Sequence, residues 1–291
     1  MKTIWVIGAN GQLGSEIREL AASQTGKTFV FTDVNELDIT DHAAVARFVV
    51  ENKIDALINC AAYTAVDKAE TEVEKADAIN HWAVANLAKI AKAEDLTFVH
   101  ISTDYVFEGT ASKPYTETDT PNPQSVYGRT KLDGENAILK INPARTLIIR
   151  TSWVYSSYGA NFVKTMLRLG REREELNVVH DQVGRPTYAG DLAEAVLQLL
   201  PLLKNKDVGI YHYANTGQCS WYEFANTIFK MAQLPVMTNP IPTTDYPTPA
   251  QRPMYSVLHT EKIKKDFGLE IPGWEEALER CLLKMQSKTL Q

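Results

Sequence analysis

The first half of the chain alternates short apolar runs with longer helical patterns, and this alternation restricts the fold more than any other feature. Runs rich in β-branched and aromatic residues predict strands at residues 3–7, 28–32, 54–60, 97–102 and 146–151. Helical patterns lie between them, near residues 12–23, 41–52, 73–94 and 125–140. Continuously apolar strands separated by helices predict an α/β fold with a doubly wound, Rossmann-like parallel sheet that is covered on both faces.

The pattern changes after about residue 155, which predicts a second, smaller α/β domain. We expect helices near residues 161–173 and 220–232 and a strand near 209–215 in this part of the chain. The proline-rich segment 235–253 predicts an irregular loop wrapped over a cleft, because proline donates no backbone hydrogen bond.

Composition excludes several classes of partner. The formal net charge of -6 offers no basic surface for nucleic acid or an anionic membrane. No apolar run approaches the ~18 residues of a membrane helix, and the first residues do not form a secretory signal. Cys60, Cys219 and Cys281 are few and far apart, so we expect no disulfide framework and a reducing, cytoplasmic location.

A glycine-rich turn follows the first predicted strand and opens the first predicted helix. Its sequence, GANGQLG, has the spacing GxxGxxG rather than the GxGxxG of the common dinucleotide fingerprint. Glycines permit a tight turn and let backbone N–H groups approach a pyrophosphate at the positive end of a helix. We therefore predict dinucleotide contacts from Gly8, Asn10, Gly11, Gln12, Leu13 and Gly14.

Asp33 ends the second predicted strand, where a carboxylate can accept hydrogen bonds from the adenosine ribose 2′-OH. The same charge repels a 2′-phosphate, so the predicted cofactor is NADH or NADPH, with NADH favoured. Asp38 and Ile39 lie a few residues further on and are expected to reach the adenine. Small residues after the third strand let the cofactor lie close to the backbone at Ala61, Ala62 and Tyr63.

Tyr127 and Lys131 lie four residues apart on the helix that follows the fourth strand, and therefore on one helix face. A chain with 12 tyrosines supplies such a pair readily by chance, so the position of the pair carries the prediction. Gly128 and Gly134 weaken this helix by about 1 kcal/mol each relative to alanine. Their presence indicates the close approach of a cofactor, a substrate or a second helix.

Reduction of a ketone requires a group that hydrogen-bonds and then protonates the oxygen. Tyr127 is the predicted acid. A nearby ammonium at Lys131 and the positive charge of an oxidised nicotinamide are both expected to favour the phenolate and so to lower the pKa of this phenol from its usual value of about 10. Lys131 is also expected to hold the nicotinamide ribose. Thr103, directly after the fourth strand, is expected to hydrogen-bond the carbonyl oxygen, with Ser102 as the substitute.

The segments GANGQLG, NCAAYT, STDYVF and YGRTK occur in this order, and together they resemble the extended branch of the short-chain dehydrogenase/reductase superfamily. Within that branch, AAYTAVDKAE, RTSWVY, NFVKTMLRL, RPTYAGDLA and TPAQRP resemble the dTDP-4-dehydrorhamnose reductases, so the likeness spans nearly the whole chain. The resemblance implies an NAD(P)H-dependent oxidoreductase of dTDP-rhamnose biosynthesis. Its expected substrate is dTDP-4-dehydro-L-rhamnose, whose C4 ketone would be reduced to give dTDP-L-rhamnose.

The resemblance also implies domains and site residues. Residues 1–155 would form the NAD(P)-binding Rossmann domain, with return segments near 187–214, and residues 156–291 would be mainly substrate-binding. Thr103, Tyr127 and Lys131 would be the catalytic trio. Besides Ser102 and Thr103, the expected substrate contacts are Asp104, Tyr105, Trp153, Asn161, Arg185 and Arg252. Each arginine has a structural salt bridge as its alternative role, and Trp153 has core packing.

A metal ion is not predicted. Some relatives form dimers that are joined by magnesium through acidic side chains, and Glu16 matches one such position while Asp191 lies near another. The full set of carboxylates is not convincing, and Glu16 is better explained as an acid favoured near a helix N-terminus. Magnesium at a dimer interface, and the choice between monomer and homodimer, stay open.

Two other functions compete with the reductase. A sugar-nucleotide epimerase, dehydratase or differently specific reductase would share the fold and cofactor, although Tyr105 after Asp104 disfavours a dehydratase. A non-catalytic nucleotide-binding subunit, such as the regulatory subunit of methionine adenosyltransferase, also resembles these reductases. The intact set of Thr103, Tyr127 and Lys131 disfavours that alternative.

Overall fold

A computed structural model of the chain describes residues 3–203 and 207–289. The strands are β1 (Thr3–Ile7), β2 (Thr28–Thr32), β3 (Ala56–Asn59), β4 (Thr97–Thr103), β5 (Thr146–Thr151), β6 (Val154–Tyr155), β7 (Glu175–Val179), β8 (Val183–Gly184), β9 (Thr187–Tyr188), β10 (Gly209–His212), β11 (Cys219–Ser220) and β12 (Met237–Ile241). The helices are α1 (Gln12–Ala21), α2 (His42–Glu51), α3 (Val66–Ala69), α4 (Val73–Asp77), α5 (Ala83–Ala93), α6 (Val126–Ile141), α7 (Phe162–Glu172), α8 (Ala189–Leu199), α9 (Trp221–Met231), α10 (Glu261–Phe267) and α11 (Trp274–Thr289).

Six parallel strands form the central sheet, in the order β10-β5-β4-β3-β1-β2. Successive side chains of a strand point to opposite faces of the sheet. Val6 and Val99 accordingly join a core with α1 and α8, whereas Trp5 and Phe98 join a second core with α2 and α5. Helices on both faces confirm the doubly wound fold predicted from the apolar strands.

The order of the strands places a topological switch point beside β1. The chain leaves β1 for β2 on one side and then returns to β3 on the other side. Ligands of such sheets bind in the crevice that opens at the carboxyl ends of the strands at this point. The turns after β1 and β3 are therefore the first place to look for a nucleotide site.

Short strand pairs organise the second half of the chain. β6 pairs with β9, β8 with β11, and β7 with β12. A third core, which includes Tyr155, Val163, Phe224, Leu278 and Cys281, binds these pairs to α7, α9 and α11. Within the described ranges, no helix has both the length and the apolar character needed to cross a membrane.

The proline-rich segment 235–253 departs from its prediction. Its first part is β12, which pairs in parallel with β7 and includes Pro240, so the expectation of no regular structure is wrong there. Proline is tolerated because both strands of a two-stranded sheet are edge strands. The rest of the segment is irregular apart from the 3₁₀ turn Thr243–Asp245, and it lines a cavity as expected.

The helix predicted near 73–94 is interrupted. α4 and α5 are joined by the π-helical turn Ala78–Trp82. α6 packs against this turn, and a Cβ atom added at Gly134 would lie 2.2 Å from the carbonyl oxygen of Asn80. The close approach of a second helix, one of the reasons predicted for a glycine inside α6, is confirmed at this position.

Candidate active site

The glycine turn after β1 meets the turn after β3 at the switch point. Gly8 has a positive φ of 73°, and a Cβ atom added to it would lie 2.6 Å from the backbone nitrogen of Ala61. A Cβ atom at Gly14 would lie 2.4 Å from the carbonyl oxygen of Gly8. Side chains at these two positions would force the turn and the helix apart, so the sequence requires glycine for backbone packing here.

The N-terminus of α1 faces the same turn. Gly11 is its N-cap residue and provides no side-chain hydrogen bond to the free N–H groups of the first turn. The side chains of Gln12 and Leu13 point elsewhere: the Gln12 amide donates to the carbonyl oxygen of Val154 at 3.3 Å, and Leu13 lies in the core. Backbone N–H groups therefore remain as the donors that this helix end offers to an anion.

Asp33 lies beside the turn at the carboxyl end of β2. One carboxylate oxygen accepts a hydrogen bond of 2.8 Å from the backbone nitrogen of Asn10, and the other accepts one of 2.8 Å from Val34. Asp38 accepts hydrogen bonds from the backbone and hydroxyl of Thr40. Ile39 is buried in the core beneath the loop, so Asp33 is the acid that directly orders the glycine turn.

Two asparagines hold the loop that follows β3. Asn59 accepts a hydrogen bond of 3.1 Å from the backbone nitrogen of Ala61. Asn80, from the π-helical turn, accepts from the backbone nitrogen of Tyr63 at 2.9 Å and donates to its carbonyl oxygen at 3.1 Å. No feature of the sequence indicates Asn80, since its contact with Tyr63 depends on how two distant segments pack. The backbone of Ala61 and Tyr63, beside the glycine turn, is thus held by side-chain hydrogen bonds.

Thr103 and Tyr127 come together between the end of β4 and the first turn of α6. Ser125 caps the helix by accepting a hydrogen bond of 3.1 Å from the Gly128 nitrogen. A Cβ atom at Gly128 would lie 2.2 Å from the carbonyl oxygen of Tyr105, so this glycine lets α6 lie directly on the 3₁₀ turn after β4. The rings of Tyr105 and Tyr127 then meet edge to face, 5.5 Å apart.

The electrostatics of Tyr127 differ from the prediction. Burial raises the pKa of its phenol above the ordinary value of 10, although a hydrogen-bond interaction with Thr103 acts in the opposite direction. The ammonium of Lys131 instead donates to the carbonyl oxygen of Ile101 at 2.6 Å, and burial lowers the pKa of Lys131 to about 8. The predicted lowering of the Tyr127 pKa is therefore wrong for the protein alone, because burial of the phenol dominates.

Asp104 is a buried carboxylic acid next to this pair. One of its oxygens accepts a hydrogen bond of 3.0 Å from the Thr103 hydroxyl. Among the described residues, the other oxygen has no hydrogen-bond partner, and an interaction of the carboxyl group with the Ser256 hydroxyl lowers the pKa less than burial raises it. Burial raises the pKa of Asp104 to about 6. An unpartnered carboxylate oxygen at this depth is available to a ligand hydroxyl.

Ser102 is not brought to this cluster. Its hydroxyl instead donates at 2.5 Å to Glu135, about two turns further along α6 than Tyr127. Glu135 also accepts two-pronged hydrogen bonds from Arg150, and both side chains are fully buried. The Ser102 hydroxyl is therefore engaged away from Tyr127, and Thr103 is the residue that interacts with the phenol.

A cavity of about 870 Å³ lies next to the cluster, with Tyr105 in its wall. Trp153 and Trp221 form another part of the wall, with parallel rings whose centroids are 3.5 Å apart. Trp153 has a positive φ of 47°, which is strained for a bulky residue. Trp221 was not predicted as a site residue, because nothing in the sequence distinguishes it from a core aromatic residue.

Arg252 enters the same cavity from the proline-rich segment. One of its guanidinium nitrogens forms an ion pair of 2.7 Å with Asp67, and another is buried with no hydrogen-bond partner among residues 3–203 and 207–289. Asp67 also accepts a hydrogen bond of 3.2 Å from the backbone of Ala250. Asp67, which was not predicted as a site residue, therefore anchors the proline-rich segment over the cavity.

Two predicted substrate contacts lie away from the cavity wall. Asn161 caps α7 and donates to Gln12, Ser156 and Tyr158, so its amide is fully engaged. Arg185 donates to the carbonyl oxygen of Leu258 at 2.6 Å. Both residues join separate segments of the fold, Arg185 through hydrogen bonds to Leu258 and Thr260 rather than through the salt bridge considered as its alternative role.

The two acids considered for magnesium both face α11. Glu16 is buried, accepts a hydrogen bond of 2.6 Å from Ser156 and pairs with Lys284 at 2.5 Å. It lies beyond the first turn of α1, so the explanation through the helix dipole is wrong. Asp191 pairs with Arg280 at 2.7 Å. Each carboxylate therefore serves an ion pair that fastens the C-terminal helix.

The parallel sheet, the glycine turn at its switch point and the Tyr127–Lys131 helix define the class of extended short-chain dehydrogenases/reductases. The family model described as the RmlD substrate binding domain matches residues 1–287, and the chain belongs to this family. Membership of this family confirms the predicted class of enzyme, an NAD(P)-dependent oxidoreductase.

Individual relatives agree over the full length. The chain is 42% identical to an Escherichia coli (strain K12) protein named dTDP-4-dehydrorhamnose reductase, over 98% of this chain and 99% of the relative. A crystal structure of such a reductase from Clostridium acetobutylicum has a TM-score of 0.93 at 44% identity, and covers 98% of this chain and 99% of its own. The Bacillus anthracis reductase, solved in complex with NADP, has a TM-score of 0.92 at 40% identity, with 98% and 100% covered.

Proposed function

We propose that the protein reduces the C4 ketone of dTDP-4-dehydro-L-rhamnose to the alcohol of dTDP-L-rhamnose. The relatives named above support this substrate, and the convergence of Thr103, Asp104 and Tyr127 beside a large cavity carries the proposal. When bound, the nicotinamide supplies the hydride. The protein contributes the binding sites, the orientation of the ketone and the proton.

The crevice at the switch point fits a dinucleotide. Gly8 and Gly14 bring two backbone segments to a separation that a Cβ atom would fill, and the N-terminus of α1 offers uncapped N–H groups to the pyrophosphate. Asp33 would accept hydrogen bonds from the adenosine ribose. We propose NADH as the preferred cofactor, because this carboxylate repels a 2′-phosphate.

Tyr127 and Thr103 would bind the carbonyl oxygen of the substrate. Hydride addition at C4 places a negative charge on this oxygen, and Tyr127 donates its phenolic proton to it. The raised pKa of Tyr127 keeps the phenol protonated before the step, so it is a competent donor. Lys131, one helical turn away, stabilises the resulting phenolate and holds the nicotinamide ribose.

The cavity would hold the sugar and the diphosphate. Asp104 presents its unpartnered oxygen to a sugar hydroxyl, and Arg252 presents its unpartnered guanidinium nitrogen to the diphosphate. Trp153 and Tyr105 add apolar surface for the sugar ring. Asp67 holds Arg252 in place for this contact.

The test is oxidation of NADH or NADPH by the purified protein when it is given dTDP-4-dehydro-L-rhamnose. Tyr127→Phe should lower kcat by roughly 10²- to 10⁴-fold while leaving cofactor affinity unchanged, since only the acid is lost. Tyr158→Phe is the matched control, because its hydroxyl binds Glu19 near the surface, and it should retain the rate. No consumption of either cofactor, or full activity of Tyr127→Phe, would refute the proposal.

The same assay tests the role of Asp33. Its charge should give NADH the larger kcat/KM, and Asp33→Asn should shift the ratio toward NADPH by about 1 kcal/mol, or roughly five-fold. The asparagine oxygen can still accept the hydrogen bond from Asn10, so the turn is retained. A native preference for NADPH would contradict this part of the proposal.

A further inference from the structure

His100 lies fully buried behind Lys131, and no step proposed above uses it. It projects from β4 on the same side as Ser102, toward α6. Its Nδ1 atom is 3.1 Å from the side-chain nitrogen of Asn59, and its Nε2 atom is 3.3 Å from the Lys131 ammonium nitrogen. The imidazole therefore links the loop after β3 to a residue of the predicted catalytic trio.

The direction of these hydrogen bonds follows from Asn59. Its side-chain oxygen accepts from the backbone nitrogen of Ala61, which fixes the orientation of the amide. The side-chain nitrogen therefore donates to Nδ1 of His100. A neutral imidazole has one acceptor nitrogen and one N–H donor, so Nε2 of His100 carries the hydrogen.

This tautomer points an N–H group at Lys131. An ammonium group has only donors, so protonated Lys131 would place two donors against each other across 3.3 Å. A neutral amine at Lys131 would accept from His100 through its lone pair. The other contact, with the carbonyl oxygen of Ile101, is a hydrogen bond in either form.

The other groups that face Lys131 do not oppose its protonation as the His100 N–H does. Glu135, one turn along α6, and the Cys60 thiol after β3 favour the ammonium, whereas burial disfavours it. The charge of Glu135 is already compensated by Arg150. His100 is thus the neighbour whose polarity opposes protonation of Lys131.

We propose that His100 is a positioning residue, held by Asn59 in its Nε2–H tautomer, that disfavours the ammonium form of Lys131. The consequence is that Lys131 exchanges its proton near neutral pH: after each reduction the ammonium passes a proton to the Tyr127 phenolate, and the neutral amine that remains takes up a proton from solvent before the next turnover. This catalytic consequence rests on the proposed function. The tautomer and the proton affinity of Lys131 do not, and both can be measured without substrate.

The tautomer is tested first, in the unmodified protein with ¹⁵N-labelled histidine. Long-range ¹H–¹⁵N correlation spectra at pH 7 should show His100 neutral, with the hydrogen on Nε2 and an unprotonated Nδ1. A hydrogen on Nδ1, or a doubly protonated ring, would overturn the proposal. This measurement needs no variant, so it stands even if substitutions at His100 prevent folding.

The second test follows the titration of Lys131 with ¹³Cε-labelled lysine. His100→Gln can turn an amide oxygen toward the ammonium, so the midpoint for Lys131 should rise by about one pH unit, a ten-fold gain in proton affinity. His212→Gln is the matched control, because His212 is equally buried and contacts the backbone of Tyr115 instead. An unchanged midpoint in His100→Gln would overturn the proposal, as would an equal rise in His212→Gln.

The pH dependence of the rate separates this proposal from the proposed function. If the proposed function and the role of His100 are both correct, the alkaline limb of the pH–rate profile should shift to higher pH in His100→Gln, by the same amount as the Lys131 midpoint. If Lys131 titrates as expected but the protein does not reduce the dTDP-sugar, the role of His100 stands and the proposed substrate fails.

Discussion

Two buried carboxylates flank the layer between β4 and α6, and they are compensated differently. Glu135, in the middle of α6, accepts hydrogen bonds from both Arg150 of β5 and Ser102 of β4. Asp104, on the side of Tyr127, accepts one from Thr103 and has an unpartnered oxygen among the residues described. A buried charge that is fully paired serves the fold, whereas one left partly unpaired stores a cost that a ligand can relieve.

The largest expected effect on stability concerns the buried pair of Arg150 and Glu135. Arg150→Met would leave the Glu135 carboxylate buried without its cation, so we expect the free energy of unfolding to fall by about 3–5 kcal/mol. Chemical denaturation of the native protein and the variant measures this change. Arg168→Met removes the cation of the exposed Arg168–Glu172 pair and should cost less than about 1 kcal/mol. Equal losses of unfolding free energy in Arg150→Met and Arg168→Met would show that the buried pair is no more important for stability than the exposed one.

The second prediction concerns the side that faces Tyr127. Because burial raises the pKa of Asp104 to about 6, the folded state binds its proton more tightly than the unfolded chain, whose value is 3.8. The stability from protonated Asp104 is therefore fully present below about pH 4 and is lost as the pH rises through 6.

Asp104→Asn removes this titration. The variant should match the native stability near pH 4 and exceed it at pH 8 by about 2 kcal/mol, while its reductase activity falls. Denaturation at the two pH values is the measurement. Glu135→Gln, by contrast, should destabilise the protein at pH 8, since it removes a paired charge from Arg150. If both variants were destabilised at pH 8, the charges of Asp104 and Glu135 would both stabilise the fold, and the contrast between them would be wrong.

The smallest effect is expected at Gly128, which joins the two sides by letting α6 approach the turn after β4. Gly128→Ala would place a Cβ atom 2.2 Å from the carbonyl oxygen of Tyr105, which costs about 1–3 kcal/mol, partly offset by about 1 kcal/mol of helix propensity. We expect a net loss near 1 kcal/mol and a lower kcat, measured by denaturation and turnover. Gly273→Ala meets only an ordinary contact and should change neither, so equal effects would contradict a special role for Gly128.

The apolar strands of the central sheet were predictable because each is a local run of sequence. β1, β4 and β5 match their predicted bounds within one residue. The two-residue strands β6, β8, β9 and β11 carry too little local signal, and β12 was hidden by Pro240. Their pairing is set by contacts between distant segments, which periodicity within one segment does not contain.

The candidate site divides in the same way. Gly8 and Asp33 follow the ends of β1 and β2, Thr103 ends β4, and Tyr127 lies in the first turn of the next long helix. Because the edge of a parallel sheet brings strand ends together, the sequence was enough to group them. Asp67, Asn80 and Trp221 act through partners far along the chain, and the sequence did not indicate these roles, although Asp67 lies within the segment AAYTAVDKAE. They became visible only when the segments were packed.

By itself, the sequence determined the parallel sheet, the glycine turn and the pairing of Tyr127 with Lys131 on one helix face, because strand alternation and helical spacing are local geometry. Only the tertiary structure decided the protonation of these groups. Burial raises the pKa of Tyr127 and lowers that of Lys131, since desolvation depends on what packs around a charge. His100 entered the site for the same reason: its partners are set by three segments meeting in space.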